Sequence, residues 1–129
     1  MSDEKNIRII LVDDHIKVHH AISLLIDYLD NIELVAQGSN GEEAIQLCAE
    51  YNPDIVLMDI KMPKVDGLEA TRQIKTMHID IPIIALTAYA MKDDREKAVQ
   101  AEMVDYISKP VDQKDLFDKL VKYAGCEKK

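Results

Sequence analysis

Several residue types and patterns are scarce in this chain of 129 residues, and each scarcity excludes a class of protein. The chain has no tryptophan and one phenylalanine, which argues against an aromatic cage or a stacking platform for bases. No apolar run reaches the length of a membrane span, and the polar start, residues 1–5, lacks the apolar core of a signal peptide. We therefore expect a cytoplasmic protein with no membrane partner.

The cysteines and the charge balance exclude further classes. Cys48 and Cys126 are far apart and form no CxxC motif, so we expect no structural disulfide in a reducing compartment. The net charge is −8, and no basic patch interleaved with aromatic residues offsets it. Because an acidic surface repels the phosphate backbone, we expect no direct binding of nucleic acid.

Hydrophobic patterning divides the chain into alternating strands and helices. Three runs are apolar except for Arg8, as strands buried on both faces of a parallel sheet nearly are, and they cover residues 7–12, 55–58 and 81–86. Two shorter runs, 32–36 and 104–108, carry a charge inside, which is typical of edge strands. The helical segment 91–102 has so thin an apolar stripe that we expect it to be mobile.

Five strands alternating with five helices through short connections predict an α/β fold with a doubly wound parallel sheet. If the two charged strands lie at the edges, the order is the flavodoxin-like 2-1-3-4-5. The length predicts a single domain. We expect this domain over residues 7–124, with an N-terminal tail at 1–6 and a C-terminal tail at 125–129.

Acidic residues end two strands that are neighbours in this order. Asp13 and Asp14 follow the first strand and Asp59 ends the third, at the switch point where sheets of this kind bind ligands. Carboxylates about 5 Å apart repel one another by roughly 3 kcal/mol per pair, so we expect a cation in the site. Because this layout offers oxygen ligands with no histidine or cysteine nearby, it favours Mg²⁺ over Zn²⁺.

Two further side chains complete a set suited to phosphoryl chemistry. Lys109 follows the fifth strand with an ammonium group, and Thr87 follows the fourth with a hydroxyl. A metal, an ammonium, a hydroxyl and a free carboxylate together bind phosphoryl groups, and a carboxylate can attack phosphorus. We predict that Asp59 accepts a phosphoryl group, that Mg²⁺ and Lys109 neutralise its oxygens, and that Thr87 hydrogen-bonds one of them.

These residues resemble the receiver domain of two-component response regulators, of which the chemotaxis response regulator is the simplest example. The motifs are Asp13-Asp14, Asp59 followed by Met62-Pro63 and Asp66-Gly67, Thr87-Ala88, and Tyr106 ahead of Lys109-Pro110. The resemblance implies that Asp59 is the phosphoacceptor and that Asp14, Asp59 and the backbone carbonyl of Lys61 bind Mg²⁺. It implies that Asp13 acts through a metal-bound water.

The resemblance also implies how such a domain works. A cis peptide would precede Pro110, and Thr87 and Tyr106 would switch together and alter the surface of the fourth helix, fifth strand and fifth helix. The domain would be a signalling switch that assists its own phosphorylation and dephosphorylation, not a turnover enzyme. Its donor would be a histidine kinase or a histidine phosphotransfer protein. The output partner stays open, and a phosphorylation-dependent dimer is one expected assembly.

Other interpretations remain open at this level. A flavin binder of the same fold would need a Ser/Thr/Gly-rich loop where the chain has Asp13-Asp14-His15, and a haloacid-dehalogenase-type phosphatase would need aspartate in place of Lys61. A scaffold receiver that accepts no phosphate is a third alternative, and Tyr106 as an ordinary edge-strand aromatic is a fourth. His15 and His19 have the spacing of zinc-binding helices, but with no third ligand nearby we expect no metal role.

Overall fold

Strands and helices alternate along the chain in the computed structural model, which describes residues 7–29, 31–60, 66–77, 81–87, 92–109 and 111–123. The elements are β1 (Ile7–Val12), α1 (Ile16–Asp27), β2 (Ile32–Gly38), α2 (Gly41–Tyr51), β3 (Ile55–Asp59), α3 (Gly67–Thr76), β4 (Ile83–Thr87), α4 (Lys92–Gln100), β5 (Asp105–Ser108) and α5 (Gln113–Tyr123). The predicted α/β alternation is confirmed. β4 begins two residues later than expected, after Pro82, which has no amide hydrogen to donate to the ladder.

The five strands form one parallel sheet in the order β2-β1-β3-β4-β5. This order confirms the flavodoxin-like prediction, with the two charged strands at the edges. Glu33 of β2 is exposed, and Asp105 of β5 is half-buried. The register pairs Val12 with Met58 and Asp59 with Leu86, so the central strands end close to the same level.

Helices cover both faces of this sheet because successive side chains of each strand point to opposite faces. One layer of the core contains Ile9, Leu11, Ile55, Leu57, Ile84 and Leu86 with Ile22 and Ile26 of α1 and Leu116 and Leu120 of α5. The other contains Ile10, Val12, Val56, Met58, Ile83 and Ala85 with Ala44 and Cys48 of α2, Ala70 and Ile74 of α3, and Ala98 of α4. The sheet interior is therefore apolar, and polar groups concentrate at the strand ends.

The fourth helix presents little apolar surface to the sheet. Of the α4 side chains that the structure describes, Ala98 is buried and Val99 is 70% exposed. Met91, the first residue of the predicted helical segment, lies outside the described residues. The mobility of α4 therefore stays a prediction.

The predicted tails, residues 1–6 and 125–129, also lie outside the described part of the chain, and the domain limits stay predictions. Within that part, no helix combines the length and the apolar character that crossing a bilayer requires.

Candidate functional site

Three acidic side chains meet at the carboxyl end of the central strands. Asp13 follows β1 and is fully buried, Asp59 is the last residue of β3 and 5% exposed, and Asp14 is exposed. Each offers a carboxylate oxygen to a group whose ligand atoms all lie within 4.8 Å of one another. The structure thus brings together the three acids that were expected to converge, while their individual roles stay predictions.

Contacts on both carboxylate oxygens hold Asp13 in place. Its amide donates to the carbonyl of Gly38 over 3.1 Å, which ties the end of β1 to the end of β2. Its Oδ1 atom accepts a 2.8 Å hydrogen bond from the amide of His15. Its Oδ2 atom lies 2.8 Å from Nζ of Lys109, an ion pair without hydrogen-bond geometry, and this buried oxygen accepts no hydrogen bond from the residues described.

Lys109 and Thr87 contribute to the site from the carboxyl ends of β5 and β4. The amide of Lys109 donates to the carbonyl of Thr87 over 2.8 Å, and the Nζ atom lies 3.6 Å from Oδ1 of Asp59 as well as close to Asp13. The Lys109 side chain is 15% exposed, so its charge is only partly screened by water. Thr87, the last residue of β4, is buried and follows Leu86, the partner of Asp59 in the ladder. The predicted ammonium and hydroxyl groups therefore stand at the same sheet edge as the acids.

The start of α3 packs directly against the end of β3. Asp66 caps the helix by accepting a 2.9 Å hydrogen bond from the amide of Glu69. The amide of Gly67 donates to the carbonyl of Ile60, and a Cβ atom on Gly67 would overlap the carbonyl oxygen of Asp59. Only glycine fits there, so the backbone of Asp59 is held by the neighbouring helix.

Of the remaining predicted site positions, Tyr106 lies in the described part of the chain. Tyr106 is half-buried in β5, and the ammonium of Lys119 lies 5.1 Å from the centre of its ring. Its role as a switch residue stays a prediction, as does that of Thr87. The backbone carbonyl of Lys61 and the peptide before Pro110 lie outside the described residues.

His15 contradicts the expectation that no histidine lies near the acids. Its Nδ1 atom is 3.0 Å from Oδ1 of Asp13 and 3.1 Å from Oδ1 of Asp14. The expectation failed because His15 has extended backbone angles at the start of α1, and its ring lies beside the two acids that precede it. Its position directly after the acid pair was the available sequence signal.

His19 does not join this group, although its spacing from His15 suggested a pair. Its Nε2 atom lies 2.7 Å from the carbonyl oxygen of Asp13, and its Nδ1 atom lies 2.6 Å from Oε1 of Gln37. Both ring nitrogens are therefore engaged in linking β1 to β2. His15 and His19 therefore do not face a common metal site. His15 instead lies beside Asp13 and Asp14, which the sequence did not predict.

The donor set fits a hard divalent cation. Among the described residues, three carboxylates stand against the one ammonium of Lys109, which leaves an excess of negative charge there, and Oδ2 of Asp13 is a buried acceptor without a hydrogen bond from those residues. Carboxylate oxygens at this separation are the ligands that Mg²⁺ uses in proteins. The geometry is thus compatible with the predicted ion.

Most of this chain is similar to known proteins. The family model described as "Response regulator receiver domain" matches residues 9–121. "Response regulator GacA" of Pseudomonas viridiflava is 38% identical over 103 residues, 80% of this chain and 48% of that protein. "Transcriptional regulatory protein YdfI" of Bacillus subtilis is 37% identical over 110 residues, 85% of this chain and 51% of that protein. The chain therefore spans about half the length of these relatives.

A solved structure agrees with these sequence relatives. The chain resembles a "DNA-binding response regulator, LuxR family, from Staphylococcus aureus" with a TM-score of 0.83 and 31% identity, covering 91% of this chain and 98% of that one. The names of these proteins, a transcriptional regulatory protein and a DNA-binding response regulator, contradict the expectation of no direct binding of nucleic acid. That expectation was wrong because a net charge of −8 limits only the contacts made by this segment's own surface.

Proposed function

The chain belongs to the family of response regulator receiver domains of two-component signal transduction, and from this premise we propose that Asp59 is its phosphoacceptor. One observation carries the proposal. The carboxylate of Asp59 ends the central strand β3, 3.6 Å from the ammonium of Lys109 and within a cluster of acids. Asp13 is a poorer candidate because it is fully buried, with His15 on one carboxylate oxygen and Lys109 on the other.

The proposed reaction moves a phosphoryl group from a phosphohistidine of a histidine kinase or phosphotransfer protein. An oxygen of Asp59 forms a bond to phosphorus while the donor's N–P bond breaks, and the electron pair stays on the departing imidazole. Lys109 neutralises charge on the phosphoryl oxygens, and the hydroxyl of Thr87 donates a hydrogen bond to one of them. The chain thereby assists its own phosphorylation, and the same groups assist attack by water when the phosphoryl group leaves.

Asp14, Asp59 and the carbonyl of Lys61 would hold Mg²⁺ directly, and Asp13 would hold it through a water molecule. When bound, this ion supplies charge neutralisation at the phosphoryl oxygens. The convergence of three carboxylates supports this part of the proposal, because close like charges are stable together only when a cation is shared.

The consequence of phosphorylation is a change at one surface. A phosphoryl group brings nearly two negative charges and three acceptor oxygens to Asp59, and Lys109 and Thr87 can pair with them. Tyr106 pairs with Ala85 in the ladder, two residues before Thr87, so a movement of Thr87 would reach Tyr106 through β4 and β5. We propose that the altered surface is formed by α4, β5 and α5. We also propose that the phosphoryl transfer takes place in the cytoplasm. The state that pairs best with the phosphoryl group gains population.

The relatives support a proposal for the output class. A transcriptional regulatory protein and a DNA-binding response regulator are similar to this chain, and we propose control of DNA binding as the output of the longer protein in which such a receiver acts. A longer protein in which this chain is joined to a DNA-binding domain should bind DNA more tightly after treatment with an acyl phosphate. The same protein with Asp59→Asn should show no such gain.

Intact-mass measurement tests the phosphoacceptor. The chain is incubated with Mg²⁺ and a small acyl phosphate as wild type, as Asp59→Asn, and as Asp118→Asn, a control that removes an exposed carboxylate on α5. The wild type and the control should gain one phosphoryl group, and Asp59→Asn should gain none. Equal labelling of Asp59→Asn, or an unlabelled wild type, would refute the proposal.

A further inference from the structure

We propose that His15 is a nitrogen ligand of the divalent-ion site and that it shifts the preference of the site toward transition-metal ions such as Ni²⁺ relative to Mg²⁺. This inference rests on the proposed ion site at Asp14 and Asp59. It adds a ligand that the acids alone do not supply.

The separations around His15 match those of neighbouring ligands on one ion. Metal–ligand bonds of ~2.1 Å at right angles place two ligand atoms ~3.0 Å apart. The Nδ1 atom of His15 lies 3.0 Å from Oδ1 of Asp13, with which it forms a hydrogen bond, and 3.1 Å from Oδ1 of Asp14. Asp59 belongs to the same group, whose ligand atoms lie within 4.8 Å. An ion that replaces the proton between Nδ1 and Asp13 can therefore contact the imidazole together with carboxylate oxygens of Asp14 and Asp59.

The acids and the imidazole of this group differ in their access to water. Oδ2 of Asp13 is inaccessible to water, accepts no hydrogen bond from the described residues, and lies 2.8 Å from the ammonium of Lys109. The side chain of His15 is 64% exposed, which leaves it open to an arriving ion. The site thus combines the buried carboxylates of Asp13 and Asp59 with the solvent-accessible imidazole of His15.

The placement of His15 is built into the local backbone. Its amide donates to Oδ1 of Asp13 over 2.8 Å, which anchors the residue beside the acids at the start of α1. The side chain makes no capping hydrogen bond to the helix, so helix formation does not occupy the ring. His19 cannot substitute for it, because its ring lies against the backbone carbonyl of Asp13 and the side chain of Gln37 and not against the carboxylates.

Ligand chemistry predicts the direction of the selectivity. Imidazole suits Ni²⁺, Cu²⁺ and Zn²⁺ better than Mg²⁺, and affinity for a mixed nitrogen and oxygen site rises from Mn²⁺ toward Ni²⁺. Removal of His15 should therefore weaken Ni²⁺ binding roughly tenfold or more and change Mg²⁺ binding little. Mn²⁺ should show an intermediate loss.

Isothermal titration at a single pH with Mg²⁺, Mn²⁺ and Ni²⁺ tests this order. The proteins are the wild type, His15→Ala, and His20→Ala, a control that removes an exposed histidine from the same helix. His15→Ala should lower the Ni²⁺ to Mg²⁺ affinity ratio roughly tenfold, and the control should keep the wild-type ratio. An unchanged ratio in His15→Ala would overturn the inference.

Two further measurements separate the possible failures. Asp59→Asn should lose Mg²⁺ binding, and if it binds Mg²⁺ and Ni²⁺ as the wild type does, the proposed site and this inference both fall. If Asp59→Asn loses Mg²⁺ binding while the ratio in His15→Ala is unchanged, only the inference falls. Mn²⁺ added to the wild type should broaden the ring resonances of His15 more than those of His20, and equal broadening would count against the ligand role even if His15→Ala did not fold.

Discussion

At the scale of single residues, the cluster of three carboxylates lowers the stability of the ion-free protein, because the like charges repel one another. Asp13, Asp14 and Asp59 share one sheet edge, and the ammonium of Lys109 contacts two of them. Like charges about 5 Å apart repel by roughly 3 kcal/mol at an intermediate dielectric, and water reduces this for the exposed Asp14. Without a divalent ion, the negative charges exceed what Lys109 can balance.

Neutralising Asp14 should therefore stabilise the ion-free protein. Asp14→Asn should raise the free energy of unfolding in a chelator by about 1 kcal/mol, because it removes repulsion with Asp13 and Asp59. It should also reduce the stabilisation that Mg²⁺ provides in thermal unfolding. Glu96→Gln, an equal change of charge on α4, is the control. A variant that is less stable than wild type in chelator would show that repulsion does not govern this position.

Cys48 supplies a pH-dependent test of the core. Burial raises the pKa of its thiol from 9.0 to about 12, while Lys75 exerts a smaller lowering effect. The unfolded chain loses this proton near pH 9.0 and the folded chain keeps it, so the thiol's contribution is complete below that pH and is lost as the pH rises toward 12. The stability advantage of wild type over Cys48→Ala, from urea unfolding, should shrink above about pH 9. A constant advantage across that range would contradict the assignment.

At the scale of elements, the junction of β3 with α3 positions the phosphoacceptor candidate. The amide of Gly67 bonds to Ile60, and the position has no room for a side chain beside the carbonyl of Asp59. The helix and the strand end therefore cannot shift independently.

Gly67→Ala should push these two elements apart. We expect a loss of about 1–3 kcal/mol in the free energy of unfolding, because the added methyl group meets backbone atoms that cannot rotate away. Acyl-phosphate labelling of Asp59 should slow as well. Gln73→Ala, an exposed substitution on the same helix, should change stability by less than about 0.5 kcal/mol. Wild-type stability in Gly67→Ala would mean that the contact relaxes without cost.

The helix α4 is the other element whose properties follow from its packing. Ala98 is its buried side chain among those described, so burial of apolar area contributes little to holding it. Hydrogen exchange followed by mass spectrometry should show α4 amides at least about tenfold less protected than those of α3, whose Ala70 and Ile74 are fully buried. Equal protection of the two helices would refute the predicted mobility.

At the scale of the whole molecule, stability depends on two apolar layers that share the central strand β3. Leu57 is fully buried in one layer, and Leu24 on α1 is 61% exposed. Leu57→Ala should cost about 2–5 kcal/mol in the free energy of unfolding, and the chemically identical Leu24→Ala less than about 0.5 kcal/mol. Chemical denaturation of both variants measures the difference. Similar losses would mean that the sheet is not the centre of the folding energy.

Local pattern allowed most of the architecture to be predicted. The apolar run that ends at Asp59 indicated a central strand, and the charges at Glu33 and Asp105 indicated edges, because burial of an unpaired charge is costly. The convergence of Asp13, Asp14 and Asp59 then followed from strand order. The β4 start was placed early because Pro82 is apolar but cannot donate in the ladder.

The amino-acid sequence by itself thus determined the elements, their order and the set of acids, because burial and strand periodicity are local properties of residues. Only the tertiary structure decided that Lys109 lies nearer to Asp13 than to Asp59, that Gly67 meets the carbonyl of Asp59, and that His15 lies against the acids while His19 bonds elsewhere. Such contacts depend on loop paths and on the register of strands distant in sequence. Small differences in these paths decide which side chains come close enough to contact one another, and residue patterns along the chain do not encode them.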